Sequence, residues 1–300
     1  MTRRLDLRYL LLLFSSLAFC AAAALGIAMQ EDGTLQMTGP SADGGGTPPA
    51  ALTVYYLDVG QADAALLVSD GEAMLIDAGN NDDQGYVLTF LAQHGVDSLS
   101  CAVGTHAHED HIGALDEVLL TVPTERLLLS PAPGDTKSYE NVLSAAERAG
   151  VTVTRPGPGD TFSFGACDVT VLAPIGEWGV DYTDLNDSSL VMLVNCGETN
   201  FLFTGDMERT MELTVLDSFD LQHVDVLKVG HHGSDYSTCY PFLRALMPTY
   251  AVISVGAGNP YGHPGEELLS RLRDAGAVVL RTDQLGTVTV TSDGTYVTVV

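Results

Sequence analysis

Residues 105–111 read Thr-His-Ala-His-Glu-Asp-His, and they bring four ligand-type side chains within six residues: His106, His108, Asp110 and His111. A strand-like apolar run precedes them, and in an extended turn the i, i+2 spacing sends the imidazoles of His106 and His108 the same way. Asp110 and His111 open the helix that follows. Neutral imidazole and carboxylate suit zinc and related divalent ions. The stretch therefore predicts a metal site that one ion or a pair of ions could share.

Acidic residues follow strand-like runs elsewhere in the chain. Asp77 comes directly after the apolar residues 74–76, and Asp206 follows residues 201–205. Asp206 would also suit the N-cap of a helix over 207–216, but beside the histidine cluster we favour a carboxylate that bridges two ions. Asp58, after the run 54–57, fits a strand-end turn and a site equally well.

Three further histidines also follow strand-like runs. His231-His232-Gly233-Ser234 comes after residues 226–229, and His263 comes after residues 251–255 through a Gly-rich loop. Glycine allows close backbone approach to a ligand, and serine and backbone N–H groups bind anionic oxygen. A buried, hydrogen-bonded histidine is the alternative at each position. In an extended segment neighbouring side chains point to opposite sides, which predicts that only one of His231 and His232 faces substrate.

Strand-like and helix-like runs alternate over residues 51–300, which predicts a mixed α/β fold. So many short strands suggest two packed sheets with helices outside them. Helical spacing lies at 86–93, 112–120, 139–149, 207–216, 238–247 and 266–275, and strand-like runs lie at 54–57, 64–68, 73–76, 101–104, 126–129, 151–154, 168–172, 190–194, 201–204, 224–229, 250–254, 277–280 and 287–290.

Residues 1–30 have the pattern of an export signal. Three arginines, at positions 3, 4 and 8, precede an apolar run over residues 9–29. The length of this run lies between that of a signal-peptide core and that of a spanning helix, so cleavage and retention as an N-terminal membrane anchor both stay open. The basic leading side places the rest of the chain outside the cytoplasm. Residues 31–50, with clustered Gly and Pro, are typical of a flexible linker.

The composition is globular but strongly acidic. The chain has 46% hydrophobic residues and a formal net charge of −26. Beyond residue 30, ten Lys and Arg stand against 38 Asp and Glu, so the exported part carries −28. Such a charge repels nucleic acid and anionic lipid over most of a surface. A polyanionic substrate therefore has to be held locally, and metal is the most plausible means.

The cysteines indicate neither a disulfide scaffold nor a Cys-based zinc site, because the chain has five of them and no CxxC pair. Free cysteine packs like a small hydrophobe. We therefore predict reduced core thiols, although export leaves one disulfide open. The residues concerned are Cys101, Cys167, Cys196 and Cys239.

From about residue 52 to residue 300 the chain resembles the metallo-β-lactamase superfamily and, within it, the hydrolase domain of ComEC-type competence proteins and their standalone relatives. The resemblance implies an αββα sandwich of two mixed sheets with outer helices, two divalent ions (zinc first, manganese second), and hydrolysis by a hydroxide that the ions activate. It rests on these segments, in the family's order: Leu57-Asp58-Val59-Gly60-Gln61, Leu75-Ile76-Asp77-Ala78-Gly79, the HxHxDH of 106–111, Asn186-Asp187-Ser188-Ser189-Leu190, Thr204-Gly205-Asp206, Leu227-Lys228-Val229-Gly230-His231-His232-Gly233-Ser234 and Tyr261-Gly262-His263-Pro264.

Motif matching implies a role for each of these side chains. Asp77 would brace the ligands from behind, and Asp110, His231 and His232 would serve catalysis. Ser234, Asn186 and Asp58 would contact substrate. We accordingly expect His263→Ala to weaken metal binding, and His231→Ala or His232→Ala to lower turnover with metal content nearly unchanged. The implied ligands are His106, His108, Asp110, His111, Asp206 and His263.

Two departures from the family pattern are visible. No histidine lies between His111 and Asp206, where many members of the superfamily supply a further ligand. Asn186 and Asp187 stand in that interval and either complete the site or only line it. Ala62 replaces the second glycine usual after the Val-Gly-Gln segment.

These features predict an extracytoplasmic phosphodiesterase or nuclease, either secreted or membrane-anchored through residues 9–29, with a phosphodiester such as DNA as substrate. The charge weighs against engagement of long DNA, because few cations are available to neutralise phosphates. A smaller phosphodiester, a lactone or another ester is the alternative of the same fold. A non-catalytic, metal-dependent binding module is the alternative of another class.

Overall fold

The computed structural model describes residues 27–29, 35–37, 51–176 and 185–300. Strands β1 (Ile27–Met29) and β2 (Leu35–Met37) pair antiparallel. They lie within the predicted anchor and linker, and the rest of those two segments lies outside the described residues. None of the helices in the described ranges combines the length and the hydropathy that a membrane span requires. Residues 49–300 form a compact unit of their own.

Two mixed sheets form the frame of this unit. One has eight strands in the order β17-β16-β3-β4-β5-β6-β7-β8, and the other has seven in the order β15-β14-β13-β12-β11-β10-β9. Their bounds are β3 Leu52–Tyr56, β4 Ala64–Ser69, β5 Glu72–Ala78, β6 Cys101–Gly104, β7 Arg126–Leu129, β8 Thr152–Thr154, β9 Thr161–Phe164, β10 Cys167–Ala173, β11 Val191–Cys196, β12 Thr199–Phe203, β13 Val226–Lys228, β14 Tyr250–Ile253, β15 Val278–Arg281, β16 Val288–Ser292 and β17 Val297–Val299.

The helices cover the outer faces of the sheets. Short 3₁₀ turns span Asn81–Asp83, Asn186–Ser188 and His231–Gly233. The α-helices are α1 Gln84–Gln93, α2 Glu109–Ile112, α3 Leu115–Thr121, α4 Lys137–Ala149, α5 Arg209–Ser218, α6 Tyr240–Leu246, α7 Glu266–Asp274 and α8 Thr282–Leu285.

Three apolar clusters hold these layers together. The central cluster lies between the sheets, where the rings of Tyr56 and Phe203 stack with centroids 5.8 Å apart. A second cluster joins the eight-stranded sheet to α1, α3 and α4, and a third joins the other sheet to α5, α6 and α7. A strand buried on both faces needs apolar residues throughout, which β6 shows over its whole length. The predicted αββα sandwich is confirmed.

The structure corrects three details. Strands β9 and β17 have no counterpart among the predicted runs, and the single helix predicted over 112–120 is divided into α2 and α3 at residues 113–114. Cys167 and Cys196 form a disulfide, so the prediction of reduced thiols is wrong for this pair. Their strands pair with Asp168 opposite Asn195, which brings the two cysteines together. Cys101 and Cys239 are buried free thiols, as expected.

The strand directions place the chemistry at one edge. Strands β5 and β6 run parallel in one sheet, and β12, β13 and β14 run parallel in the other. The carboxyl ends of parallel strands meet at the same edge of a sheet, where α/β proteins place their ligand sites. The segments that follow these strands therefore converge.

Candidate metal centre

Asp77 anchors the site from the end of β5. The side chain is buried, and Oδ1 accepts a hydrogen bond from the backbone N–H of Thr105 at 2.8 Å. Oδ2 bonds the Thr105 hydroxyl at 2.7 Å and His111 Nδ1 at 2.8 Å. The contact at Nδ1 orients the imidazole, so that Nε2 faces the opposite carboxylate.

The segment after β6 carries the first group of ligand-type side chains. His106 is buried, and its Nε2 lies 2.9 Å from Nδ1 of His108, the N-cap residue of α2. Asp110 and His111 lie in the first turn of this helix. The extended turn and helix start that the sequence predicts here are thus present.

Asp206, after β12, lies at the centre of the histidines. Gly205 precedes it with a φ of +51°, and a Cβ there would come within 2.8 Å of Ser189, so the close approach favours glycine. The backbone N–H of Asp206 donates to Ser189 Oγ at 3.0 Å. The Nε2 atoms around its carboxylate lie at 3.2 Å for His111, 3.7 Å for His232, 3.9 Å for His231 and 4.0 Å for His106.

His231 and His232 form a turn, not the extended segment that the sequence predicts. Each has a φ of +50°, in the left-handed region that non-glycine residues rarely adopt. Both rings line the cleft, and their Nε2 atoms lie 3.9 Å (His231) and 3.7 Å (His232) from Asp206 Oδ2. The extended geometry behind the expectation is therefore wrong, while the expectation that only one ring faces substrate stays a prediction. His232 Nδ1 bonds the Ser254 carbonyl at 3.1 Å, and Nε2 lies 3.3 Å from Asp110 Oδ2.

These residues fit divalent metal ions. The ligand atoms of His106, His111 and Asp206 lie within 4.8 Å of one another, as do those of Asp110, His111 and His232. In the described part of the chain, His111 Nε2, His232 Nε2 and Asp206 Oδ1 are buried and make no hydrogen bond. Buried polar atoms normally have partners, so this convergence is that of a ligand set.

At two positions in the cluster, the electrostatics favour the protonation state in which the side chain can bind metal. Burial, reinforced by the charge of His111, holds the pKa of His106 well below its usual value, so this imidazole is neutral. Burial alone would raise the pKa of Asp206, but His111 and His232 outweigh it and hold that pKa well below the usual range. A neutral imidazole and an ionised carboxylate are the forms that bind metal.

Sequence reasoning missed a buried ion pair beneath these ligands. Lys228 Nζ lies 2.6 Å from Asp63 Oδ2 and donates to the Val229 carbonyl at 2.9 Å. Asp63 in turn lies 3.9 Å from His111 Nδ1 and 3.8 Å from His232 Nδ1. A lysine within the apolar run 226–229 was the available signal, because lysine is rarely buried unless it is paired.

The cluster opens into a cleft of about 300 Å³. His231 forms part of its wall, and its Nδ1 lies 3.0 Å from Oε1 of Glu208, another residue that the sequence did not single out. Tyr261 is 69% exposed at the cleft and stacks on His263 with centroids 5.8 Å apart. The lining residues are Gln61, His108, Glu109, Asp110, Asn186, Asp206, His231, His232, Tyr261 and His263.

The structure brings some of the remaining predicted residues to the cleft and leaves others outside. Asn186 and His263 line it, but His263 belongs to none of the close ligand groups, and its ring centroid is 5.6 Å from that of His231. Ser234 is buried, with its Oγ accepting from the backbone of Tyr236, and Asp58 is exposed; neither lines the cleft. Substrate contacts by Ser234 and Asp58, and metal ligation by His263, stay predictions.

Two solved structures with a similar fold are a protein that is covered almost entirely by the match and a longer one that is covered by about half. The metallo-β-lactamase fold protein YhfI from Bacillus subtilis matches with a TM-score of 0.52 and 12% identity, over 77% of this chain and 96% of that one. CmlA, a diiron β-hydroxylase from Streptomyces venezuelae, matches with a TM-score of 0.51 and 18% identity, over 78% of this chain and 53% of that one. At these identities the likeness concerns the fold alone.

Relatives in sequence are longer proteins. ComE operon protein 3 of Bacillus subtilis is 36% identical over 67% of this chain and 26% of its own length. Competence protein ComA of Neisseria gonorrhoeae is 30% identical over 79% of this chain and 31% of its own. Recombination protein 2 of Haemophilus influenzae is 30% identical over 79% of this chain and 28% of its own. The chain thus spans about a quarter to a third of the length of these relatives.

The sequence profile of the metallo-β-lactamase superfamily matches residues 57–257, which include the HxHxDH segment, Asp206 and the His231-His232 turn. This match covers more than half of the chain, and the αββα sandwich agrees with it. The chain belongs to the metallo-β-lactamase superfamily.

Proposed function

We propose that this protein is an exported, metal-dependent phosphodiesterase or nuclease that works with two divalent ions, zinc or manganese. The convergence of four imidazoles on the Asp206 carboxylate, with Asp110 beside them, is the observation that carries the proposal. When bound, a pair of divalent ions polarises a phosphoryl oxygen and generates hydroxide near neutral pH.

The residues of this chain would divide the work. Asp206, between the two sides of the cluster, would hold both ions, and His111 and His232 would bind with their Nε2 atoms. Asp77 and the Ser254 carbonyl hold the other nitrogen of these two rings and so orient them.

The cleft wall would position the substrate. His231 Nδ1 is bonded to Glu208, which leaves Nε2 to face the bound phosphate. Burial, followed by the charges of His231 and His232, lowers the pKa of His263, so this imidazole is neutral at pH 7 and suited to contact the leaving oxygen. Asn186, 3.4 Å from His231 Nδ1, would help to place that ring.

The relatives bear on the substrate. One is named a competence protein and one a recombination protein, and these names favour DNA as the substrate. The net charge of −28 beyond residue 30 favours a strand end or a short strand over long duplex, since few cations can neutralise phosphates.

The proposed location is outside the cytoplasm, with the chain secreted or anchored through residues 9–29. The basic and apolar pattern of the N-terminus supports it. The Cys167–Cys196 disulfide supports it independently, because disulfides persist in oxidising compartments.

The test is metal analysis of protein purified without chelator, combined with turnover assays on bis(p-nitrophenyl) phosphate, linear DNA and a panel of lactones. We expect about two divalent ions per chain, hydrolysis of the phosphodiesters, and loss of turnover in Asp110→Ala without unfolding. Hydrolysis of a lactone without hydrolysis of the phosphodiesters would instead favour a lactonase or another ester hydrolase of the same fold. A metal-loaded protein that turns over none of the substrates would favour a binding module.

A further inference from the structure

A second pocket, of about 500 Å³, lies beside the metal cleft. Glu208 lines this pocket, and the same carboxylate bonds Nδ1 of His231 at 3.0 Å and Nδ2 of Asn186 at 3.5 Å, two residues that line the cleft. The two spaces therefore share a wall. A substrate held at the metal ligands could extend into this pocket without leaving the surface.

The pocket combines a cation with exposed aromatic rings. Arg209, the first residue of α5, has an exposed side chain there. Tyr236 is 75% exposed and Tyr240 is 48% exposed. A guanidinium and open aromatic faces in one pocket suit a ligand that joins a phosphate to a planar ring.

Apart from Glu267, which is exposed at the pocket, the other charged side chains that line it are engaged within the protein. The buried Arg271 donates to the backbone carbonyls of Asp235, Ser237 and Thr238 at 2.9 to 3.1 Å. Asp235 Oδ1 accepts from the backbone N–H of Leu268 in α7, and Glu208 is bonded to His231. Arg271 is therefore part of the wall, and Arg209 is the arginine available to a phosphate in this pocket.

Backbone hydrogen bonds fix the positions of Arg209 and Tyr236 relative to each other. The N–H of Arg209 donates to the carbonyl of Tyr236 at 3.1 Å, and the N–H of Tyr236 donates to Ser234 Oγ at 3.3 Å. Ser234 thus supports the backbone at Tyr236 from within the turn. The backbone at Arg209 and Tyr236 is therefore held in place before a ligand binds, so binding has only their side chains to order.

We infer that this pocket binds the nucleotide next to the scissile phosphodiester, with its base on Tyr236 and its phosphate on Arg209. The substrate class is therefore single-stranded nucleic acid or a strand end, because a base must be unstacked before an aromatic side chain can receive it. One arginine suits one phosphate and not the phosphate rows of a long duplex. The inference rests on the proposed phosphodiesterase function and names its substrate.

The test measures, by fluorescence anisotropy, the binding of a short, end-labelled single-stranded oligonucleotide to the full-length protein with added zinc. Phosphorothioate linkages slow its hydrolysis during the measurement. The variants are Tyr236→Ala, Tyr236→Phe and Arg209→Ala. Arg244→Ala is the matched control, since Arg244 is an exposed arginine on α6 that does not line the pocket.

We expect Tyr236→Ala to raise the Kd about tenfold, in line with base stacking on an aromatic side chain, and Tyr236→Phe to restore most of the affinity. Arg209→Ala should raise the Kd and reduce its dependence on salt concentration. In turnover, both alanine variants should raise KM for the unmodified oligonucleotide, and the ratio of kcat/KM for the oligonucleotide to that for bis(p-nitrophenyl) phosphate should fall. Arg244→Ala should behave as the parent.

The outcomes separate the inference from the proposed function. Parent-like oligonucleotide affinity in both Tyr236→Ala and Arg209→Ala would overturn the inference, even with full hydrolysis of bis(p-nitrophenyl) phosphate. Tighter binding of duplex than of single strand would overturn it as well. Absence of phosphodiester turnover would overturn the proposed function, while the anisotropy series still decides whether the pocket binds a nucleotide.

Discussion

His232 and His263 differ in what surrounds their ring nitrogens. His232 Nε2 lies 3.3 Å from Asp110 Oδ2 and 3.7 Å from Asp206 Oδ2, whereas His263 lines the cleft outside the close ligand groups. We expect His232→Ala to lose about one divalent ion per chain and His263→Ala to keep both while turnover falls. Elemental analysis of the purified variants measures this.

The motif resemblance predicts the reverse assignment for these two histidines. A variant series in which His263→Ala loses an ion and His232→Ala keeps both would support that assignment and contradict the geometric one. His94→Ala is a suitable control, because His94 lies at the end of α1 and packs on Phe90, away from the cleft.

The Lys228–Asp63 pair is buried on both sides and lies beneath the ligands. Removing one partner leaves an uncompensated buried charge, so Lys228→Met should lower the free energy of unfolding by about 3 kcal/mol or more. The double variant Lys228→Met/Asp63→Asn should recover a large part of this loss. Urea denaturation at constant zinc measures both effects; a double variant less stable than the single one would contradict the pairing.

At the scale of elements, Glu212 ties α5 to the start of α6. Its buried carboxylate accepts from the backbone N–H groups of Thr238 and Cys239, and burial raises its pKa above the ordinary 4.5. The folded state therefore holds the proton more tightly than the unfolded state. The contribution of Glu212 to stability is full below pH 4.5 and is lost as pH rises through the raised pKa.

Glu212→Gln removes this titration while keeping the shape of the side chain. The difference in unfolding free energy between the parent and Glu212→Gln should fall with rising pH, by about 1.4 kcal/mol for each unit by which the pKa is raised. Urea denaturation of metal-free protein between pH 4 and pH 7 measures it. A difference that does not change with pH would show that Glu212 has an ordinary pKa.

Strands β10 and β11 are joined by the Cys167–Cys196 disulfide across 29 residues of sequence. Closing a loop of that length stabilises the fold by roughly 3 to 4 kcal/mol in the chain-entropy treatment. We expect mass spectrometry to show one bridge, and reduction to lower the denaturation midpoint.

Burial raises the pKa of Cys101 to about 12 and that of Cys239 to about 11, so both thiols should resist alkylation until the protein unfolds. A fully alkylated native protein would contradict this.

At the scale of the whole molecule, the site joins the two sheets. Asp77 lies at the end of β5 and the HxHxDH segment follows β6, both in the eight-stranded sheet, while Asp206 and the His231-His232 turn follow strands of the seven-stranded one. Ions bound between them would link both halves of the sandwich. Ions that bind only the folded state stabilise it by about 2.7 kcal/mol at one hundred times their Kd.

Addition of zinc to metal-free protein should therefore raise the Tm by roughly 5 to 10 °C, given the size of the domain. Asp206→Asn should lose most of this shift, since Asp206 contacts ligands from both sheets. Differential scanning calorimetry across a zinc titration measures it. The same shift in Asp206→Asn as in the parent would place the stabilising ions elsewhere.

The α/β class, the sandwich and the residues of the HxHxDH segment follow from the sequence alone. Hydrophobic periodicity and turn residues are set by neighbours along the chain, and the spacing of His106, His108, Asp110 and His111 is itself local. For the same reason the strand ends that carry Asp77 and Asp206 were predicted. Edge strands β9 and β17 were missed, because they are only partly buried and have a weak apolar pattern.

Only the tertiary structure decided which distant residues meet. The Cys167–Cys196 bridge depends on the register of β10 and β11, and the Lys228–Asp63 pair depends on how the two sheets pack. The turn at His231 and His232 aims both rings at Asp206 because of left-handed backbone angles that spacing rules do not contain. These features arise from contacts between residues far apart in the chain, and a local pattern carries no information about the side of a sheet to which another segment returns.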